Sequence, residues 1–455
     1  MKVTNPATEQ LVDEYETDDE DDVYDALDVA EERFETWSDR SLQHREKLLS
    51  NAGDVLRDEK RRYAEIMTKE MGKPITQSLA EVEKCAWLCD HYAENAGRYL
   101  QDDVYPSPPG TDVRTEYEPL GAVLAVMPWN FPFWQVFRFA VPYLTVGNVG
   151  LLKHASSVPG CALAIQEVFE KAGYPEGTFQ SLLIGSSDVE TVINDNRVKA
   201  VTLTGSGPAG SAVAEQAGSQ IKKSVLELGG SDPYVVLEDA DIEQAVETGV
   251  WARNQNGGQS CIAAKRFIVV EDVYDEFLDK LKSGFQDLNV GDPMNENIDV
   301  GPQSDEDLME HMHEQVQTSV GAGANLVLGG EPMDRDGFYY PPTILTDVPE
   351  GCPADQDEVF GPVAAVYKVE DREEAVEKAN DTDFGLGASI WTEDTDKGRE
   401  VASNINAGCV YVNEMVKSDP RVPFGGVGIS GYGRELSEVG IKEFTNKKTV
   451  WVDDN

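Results

Sequence analysis

Basic residues are the scarcest resource of this chain relative to its acids. Only 38 lysines and arginines stand against 84 aspartates and glutamates, a net charge of −46 over 455 residues. Such a surface repels nucleic acid and anionic membranes, so neither is expected as a partner. It suits a protein kept hydrated in concentrated salt, and a halophilic chain with an acidic surface is the expectation. The 6 cysteines (Cys85, Cys89, Cys161, Cys261, Cys352 and Cys409) are scattered, and no His or Cys cluster has the spacing of a metal centre. No metal is therefore expected. The cysteines do not form a disulfide framework either, which implies a reducing, cytoplasmic setting. The start, Met1-Lys2-Val3-Thr4-Asn5-Pro6, has no apolar signal core. No apolar run nears the roughly 20 residues that span a bilayer. Internal repeats and flexible linkers are missing as well.

What is present is a chain long enough for two or three domains, 40% hydrophobic and 8% aromatic. Its N-terminal third is helical by periodicity. Tyr24, Leu27, Phe34 and Trp37 recur at helical spacing behind Thr17 as N-cap, and residues 45–71 and 81–100 predict two further helices. The many acids here read as a solvated face, and Cys85 with Cys89 as core packing. Residues 101–118, with Pro106, Pro108 and Pro109, read as an extended excursion. Short apolar runs then alternate with helical patterns. Strands are predicted at 121–127, 149–152, 177–184, 200–203 and 234–237, then at 363–367, 387–391 and 409–412. Such alternation predicts a parallel α/β sheet architecture. The β-run 449–452 near the end has charged flanks and is a candidate to pair with another subunit's sheet edge.

Two stretches carry chemistry. Asn256-Gly257-Gly258-Gln259-Ser260-Cys261 is a glycine-loosened turn that delivers one cysteine. By itself Cys261 reads either as a small buried hydrophobe or as a nucleophile beside a free backbone N–H. Gly205-Ser206-Gly207-Pro208-Ala209-Gly210 spells G-x-G-x-x-G between a strand and a helix, and Glu227 follows Gly205 by 22 residues. That spacing offers Glu227 as a ribose-binding acid, although Pro208 and the late position of the motif leave a plain strand–helix turn as the alternative.

Taken in order, Pro128-Trp129-Asn130-Phe131-Pro132, Lys153, Thr204-Gly205-Ser206, Glu227-Leu228-Gly229-Gly230, Gly258-Gln259-Ser260-Cys261, Glu358-Val359-Phe360-Gly361-Pro362 and Pro423-Phe424-Gly425-Gly426 resemble the aldehyde dehydrogenase superfamily over nearly the whole chain. The interval of 34 residues from Glu227 to Cys261 is the family's too. Lys153-His154-Ala155-Ser156 and Ala263-Ala264-Lys265-Arg266-Phe267 place the resemblance closest to its succinate-semialdehyde branch. The resemblance implies two Rossmann-type parallel-sheet domains and a β-arm for oligomerisation. Residues 1–100 and 120–228 would bind the cofactor, 229–430 would carry the catalytic residues, and 101–119 with 431–455 would form the arm. It also implies a homodimer or homotetramer and a small aldehyde substrate.

The same resemblance implies that Cys261 attacks the aldehyde, that Asn130 and the Cys261 N–H hold the oxyanion, and that Glu227 is the base for thioester hydrolysis. Relatives that pass the acyl group to coenzyme A usually lack that glutamate. Lys153 would bind the adenine ribose, Ser206 the pyrophosphate, and Glu358 the nicotinamide ribose, with Phe360 beside the nicotinamide and Trp129 and Gly205 also among the cofactor-binding residues. Ser156 stands where NAD-preferring relatives often carry an acid, which implies NADP, with NAD also possible. Arg138, eight residues after Asn130, would grip a distal carboxylate, aided by Ser418 and Arg421. Gln255 replaces a second such arginine found in some relatives, and Ala263 replaces a partner cysteine, so no redox switch at Cys261 is expected. The rival readings are a dehydrogenase of another small aldehyde and a catalytically silent scaffold.

The charge gives the first prediction. Screening of acid–acid repulsion should raise the melting temperature by about 10 °C or more between about 0.2 and 2 M KCl, read by calorimetry. A melting temperature that stays level or falls contradicts salt adaptation.

Overall fold

Strand alternation builds two open sheets. The computed structural model describes residues 1–453. A six-stranded sheet runs in the order Gly431–Tyr432, Lys223–Glu227, Val198–Thr204, Ala122–Met127, Val149–His154, Phe179–Ser181. All neighbours are parallel except the outermost pair, Gly431–Tyr432 against Lys223–Glu227. Chain order reverses direction at Ala122–Met127, and in such sheets the crevice at the carboxyl ends beside the reversal is the ligand site. A seven-stranded sheet takes all its strands from residues 325–412 and 233–270, and is parallel except for the edge strand Asn325–Leu328.

Burial on both faces explains why the strands read as continuous apolar runs. In the seven-stranded sheet Tyr234, Val236, Phe267 and Val269 pack into one core, while Val235, Leu237, Ile268 and Val270 pack into another on the opposite face. This is the period of two that a strand imposes. The six-stranded sheet shares its core with the N-terminal helices Glu20–Trp37, Leu42–Asp58, Lys60–Met71 and Ile75–Tyr99. A third, three-stranded sheet is the arm. Thr445–Asp453 pairs antiparallel with Thr111–Pro119 over its whole length, and Asp103–Val104 lies on the other side of Thr111–Pro119. The far edge of Thr445–Asp453 has no strand beside it among the described residues.

Several expectations need correction. The first helix is capped by Asp19 and not Thr17: the Asp19 carboxylate accepts the Asp21 and Asp22 amides and Asp22 returns the bond. The stretch 45–71 is two helices, broken at Glu59. Residues 431–444 do not belong to the arm. Gly431–Tyr432 is a strand of the six-stranded sheet, and Leu436, Ile441 and Phe444 lie in the large core. The helix Trp134–Val146 leaves no amphipathic period in the sequence, because it is buried on every side.

The acids of the N-terminal third are not all a solvated face. Glu70 accepts the amides of Gly160 and Cys161 at the start of the helix Pro159–Ala172. Glu81 accepts the amides of Phe133 and Trp134 at the start of the helix Trp134–Val146, each at 2.9 Å, and forms a buried ion pair with Lys73. Carboxylates thus satisfy donors that a helix cannot satisfy itself. Glu81→Ala should lose about 3–5 kcal/mol, because it strands the Lys73 charge as well as two helix amides. Urea unfolding measures this, and an unchanged midpoint counts against it.

Candidate active site

Two cavities meet at Cys261. One, of about 290 Å³, is walled by the helices Ile75–Tyr99 and Trp134–Val146 and by the chain before Pro423, with Lys84, Arg138, Ser418 and Phe424 on its surface. The other, of about 250 Å³, lies over the carboxyl ends of Ala122–Met127 and Val198–Thr204, at the reversal of strand order. Trp129, Asn130, Gly205, Ser206, Glu358 and Phe360 line it, with the Trp129 and Phe360 rings edge-on at 5.9 Å. Cys261 belongs to both walls. A third cavity, of about 320 Å³, continues along the same sheet beside Lys153, Ser186 and Ser187. Lys153 is buried there, with Asp188 the acid that faces it.

The nucleophile turn follows the helix Ile242–Asn254 and precedes the strand Arg266–Val270, so Cys261 arrives before its strand. Asn256, Gly257 and Gly258 all take positive φ, at 54°, 62° and 75°. A side chain at Gly258 would run into the backbone of Gly361 and Pro362, so glycine is needed there for space as well as for angle. The turn is then bolted down. The Asn256 side chain donates to the carbonyls of Asn130 (2.7 Å) and Gln259 (3.1 Å), and the Asn130 amide also donates to Gln259 (3.0 Å). The second N–H of Asn130 is not used in that bond. The Cys261 amide has no backbone acceptor among the described residues. Lys265 donates to the carbonyls of Ser260 (2.9 Å) and Cys261 (2.7 Å) and pairs with Glu358 at 3.2 Å. Glu358 in turn accepts the Gly230 amide.

The Asn130 loop is held from behind by His154. Its Nδ1 accepts the Ala155 amide, and Nε2 lies 3.0 Å from the Pro132 carbonyl. Burial pushes this imidazole down to about 4, so it stays neutral and keeps that pattern.

Glu227 ends its strand in a dry, charged cluster. Its carboxylate lies so close to Gly425 that a β-carbon there would stand 2.5 Å from Oε1. Both of its oxygens are buried without a hydrogen-bond partner among the described residues. Burial, and after it the charge of Glu435, pushes the Glu227 carboxyl well above the usual carboxylate range, against the pull of Arg138 and Arg434. Arg138 lies 2.8 Å from Glu435 in an ion pair that is almost wholly buried. This environment does not suit a ribose ligand, and Glu227 is absent from the walls of the second and third cavities.

The residues expected around the substrate separate. Arg138 and Ser418 both reach the cavity, but Arg138 shares its charge with Glu435. Arg421 does not reach it. Its guanidinium turns outward onto Asp419, at 2.8 and 2.5 Å, and is 68% exposed. Ser156 sits in an exposed turn between the strand Val149–His154 and the helix Pro159–Ala172, outside the cavity walls, and does not cap that helix. Sequence reading missed Lys84, Lys265 and Glu435. Lys265 had a signal, since it lies in a quoted motif. Lys84 and Glu435 had none, because their partners come from distant segments.

A doubly wound α/β scaffold with one half-buried cysteine between two cavities is the class these features define. The chain belongs to the aldehyde dehydrogenase family, whose model matches residues 1–450. It is 51% identical over 448 residues to a probable succinate-semialdehyde dehydrogenase [NADP(+)] of Synechocystis sp., covering 98% of each chain. It is 48% identical over 450 residues to succinate-semialdehyde dehydrogenase [NADP(+)] 1 of Mycobacterium tuberculosis, again covering 98% of each. The crystal structure of succinic semialdehyde dehydrogenase from Streptococcus pyogenes with NADP+ superposes with a TM-score of 0.97 at 36% identity, over 99% of both chains.

Burial pushes the Cys261 thiol up to about 12, against the opposing pull of Arg138 and Lys265. In the ligand-free protein the thiol is therefore protonated at neutral pH. Iodoacetamide labelling of Cys261 should be slow at pH 7.5 and rise about tenfold per pH unit towards pH 10, since only the thiolate reacts. A rate that is already level below pH 8 contradicts this.

Proposed function

We propose that the protein oxidises succinate semialdehyde to succinate with NADP+. The observation that carries this reading is the position of Cys261 in the shared wall of two cavities, one holding cationic side chains and the other at the carboxyl ends of a nucleotide-type sheet. The names of the relatives support both the substrate and the cofactor.

The residues present fit a dinucleotide. Ser206 caps the start of the helix Gly207–Ser219, whose amides and dipole suit a pyrophosphate, with Gly205 beside it. Lys153 is a buried cation beside the third cavity and suits the adenine ribose and its phosphate. Glu358 would turn from Lys265 to the nicotinamide ribose, and Trp129 and Phe360 would flank the ring. Ser156 sets no negative charge against a 2′-phosphate. When bound, the nicotinamide supplies the hydride acceptor.

The chain's own groups do the rest. Cys261 Sγ, once deprotonated, adds to the aldehyde carbon. The free N–H of Asn130 and the Cys261 amide donate to the developing oxyanion. After oxidation the acyl group is a thioester on Cys261. Glu227 takes a proton from the water that attacks it, a role suited to a carboxyl whose burial has made it a stronger base. Arg138 keeps the negative charge of Glu435 from suppressing that base altogether. Arg138 and Ser418 would face the distal carboxylate. The six-stranded unit thus holds the cofactor and the seven-stranded unit presents the thiol. The open edge of Thr445–Asp453 supports a homodimer or homotetramer. Six free cysteines suit a reducing cytoplasm, and among the described residues no helix is long and apolar enough to cross a membrane.

The test is reduced-nicotinamide absorbance in high salt with a panel of aldehydes and both cofactors. Succinate semialdehyde with NADP+ should give the highest kcat/KM. No turnover with any aldehyde would favour a silent scaffold. Glu227→Gln should give a burst of about one NADPH per site followed by slow turnover. Asn130→Ala should cost about 100- to 1,000-fold in kcat. Cys261→Ala with wild-type activity would refute the mechanism.

A further inference from the structure

The cavity beside Cys261 has a charge balance opposite to that of the protein around it. The chain carries a net charge of −46, yet the acid on this wall, Glu81, is held by Lys73 and by the Phe133 and Trp134 amides. Arg138 is offset by Glu435, and Lys417 by Glu414. Lys84 is left over. Its Nζ lies 3.2 Å from Ser418 Oγ and 4.2 Å from the centre of the Trp134 ring, and no carboxylate among the described residues is within ion-pair distance of it.

Ser418 and Arg138 on the same wall supply donors, and Gln135 Oε1 is a buried acceptor there without a partner among the described residues. Ser418 Oγ accepts from Lys84 and from Trp134 Nε1 at 2.8 Å, so its own hydroxyl hydrogen is free to donate outward. Arg138 Nη2 is buried with no hydrogen-bond partner among the described residues. One unmatched ammonium, one free hydroxyl hydrogen and one unused guanidinium N–H make a receptor for an anion with several acceptor atoms. A carboxylate has that chemistry.

We propose that Lys84 is the cation that neutralises the distal carboxylate of the substrate, and that it, more than the already paired Arg138, sets the preference for an acid-terminated aldehyde. This rests on the substrate reading given above. Lys84 emerges from the helix Ile75–Tyr99, a part of the chain that otherwise looks remote from the chemistry. Its stem and the Trp134 face shield the charge from water, which strengthens its attraction for an anion.

Proton linkage follows. Burial, and next the charge of Arg138 on the facing helix, pushes the Lys84 ammonium down to about 8, while Cys85 and Glu81 on its own helix and Asp419 in the facing loop pull the other way. A bound carboxylate favours the ammonium. Above about pH 8 the free protein must therefore take up a proton to bind an acid-terminated aldehyde, and no such uptake is needed for an uncharged one.

The experiment compares succinate semialdehyde with butanal, which has the same chain length without the charge, using the NADP+-loaded full-length protein. Lys84→Met should lower the ratio of kcat/KM for the semialdehyde over butanal by about tenfold or more. Lys84→Arg, which keeps the charge, should retain more of that ratio than Lys84→Met. A smaller fall in Lys84→Met, or equal losses in both variants, overturns the proposal. If Lys84→Met fails to fold, the wild-type pH profile decides. KM for the semialdehyde relative to butanal should rise about tenfold per pH unit above pH 8, and a flat ratio to pH 10 overturns it. Failure of the underlying reading looks different: the wild type itself would show no preference for the semialdehyde over butanal.

Discussion

Two asparagine amides converge on the carbonyl of Gln259, and the site depends on that convergence. Asn130 belongs to the loop after a strand of the six-stranded sheet, and Asn256 to the turn that enters the seven-stranded one. Asn256 also reaches back to the Asn130 carbonyl. Two of these hydrogen bonds, Asn130 to Gln259 and Asn256 to Asn130, tie the loop of one sheet to the turn of the other beside Cys261, and the third closes the turn on itself. Bonds buried from water are worth more than the same bonds on a surface, and leaving one unmade is costly. His154 and Glu81 extend the arrangement outward by fixing the chain just after Asn130, at Pro132 and Phe133.

Around this joint the protein manages charge with care, given its composition. Its surface is crowded with acids, but the buried acids near the site each have a defined task. Glu70 and Glu81 satisfy helix amides, Glu435 balances Arg138, and Glu358 balances Lys265. Among the described residues Glu227 is left without a hydrogen bond in a dry pocket, as are the oxygens of Glu435, and burial with the charge of Glu435 raises the proton affinity of Glu227. Cys261 is half-buried where the two cavities meet, and burial pushes its thiol up as well.

The sheets and the order of the key residues were legible because parallel strands buried on both faces print apolar runs, and because turns of fixed shape demand glycine. The strands Gly387–Trp391 and Cys409–Val412 fall where the pattern put them. The helix Trp134–Val146 was illegible, since burial all round erases the amphipathic period. The spacing of Glu227 from Gly205 suggested a ribose ligand, and only the third dimension places it on Gly425 and near Glu435. Arg421 looked available in sequence because Asp419, its partner, was not read as one. Pairings such as Arg138 with Glu435 join residues far apart in the chain, and no local pattern encodes them.

The close approach at Gly258 bears on how this protein can change. A side chain there must pass through the backbone of Gly361 and Pro362, in the segment that also carries Glu358 and Phe360. The nucleophile turn and the cofactor-side segment are therefore locked into one unit of inheritance. Neither can drift alone, and the helix Ile75–Tyr99 meets this lock at one residue, Gln77, whose side-chain oxygen accepts the Asn256 amide at 2.7 Å. The positions on that helix that make no bond to the turn can change without disturbing it.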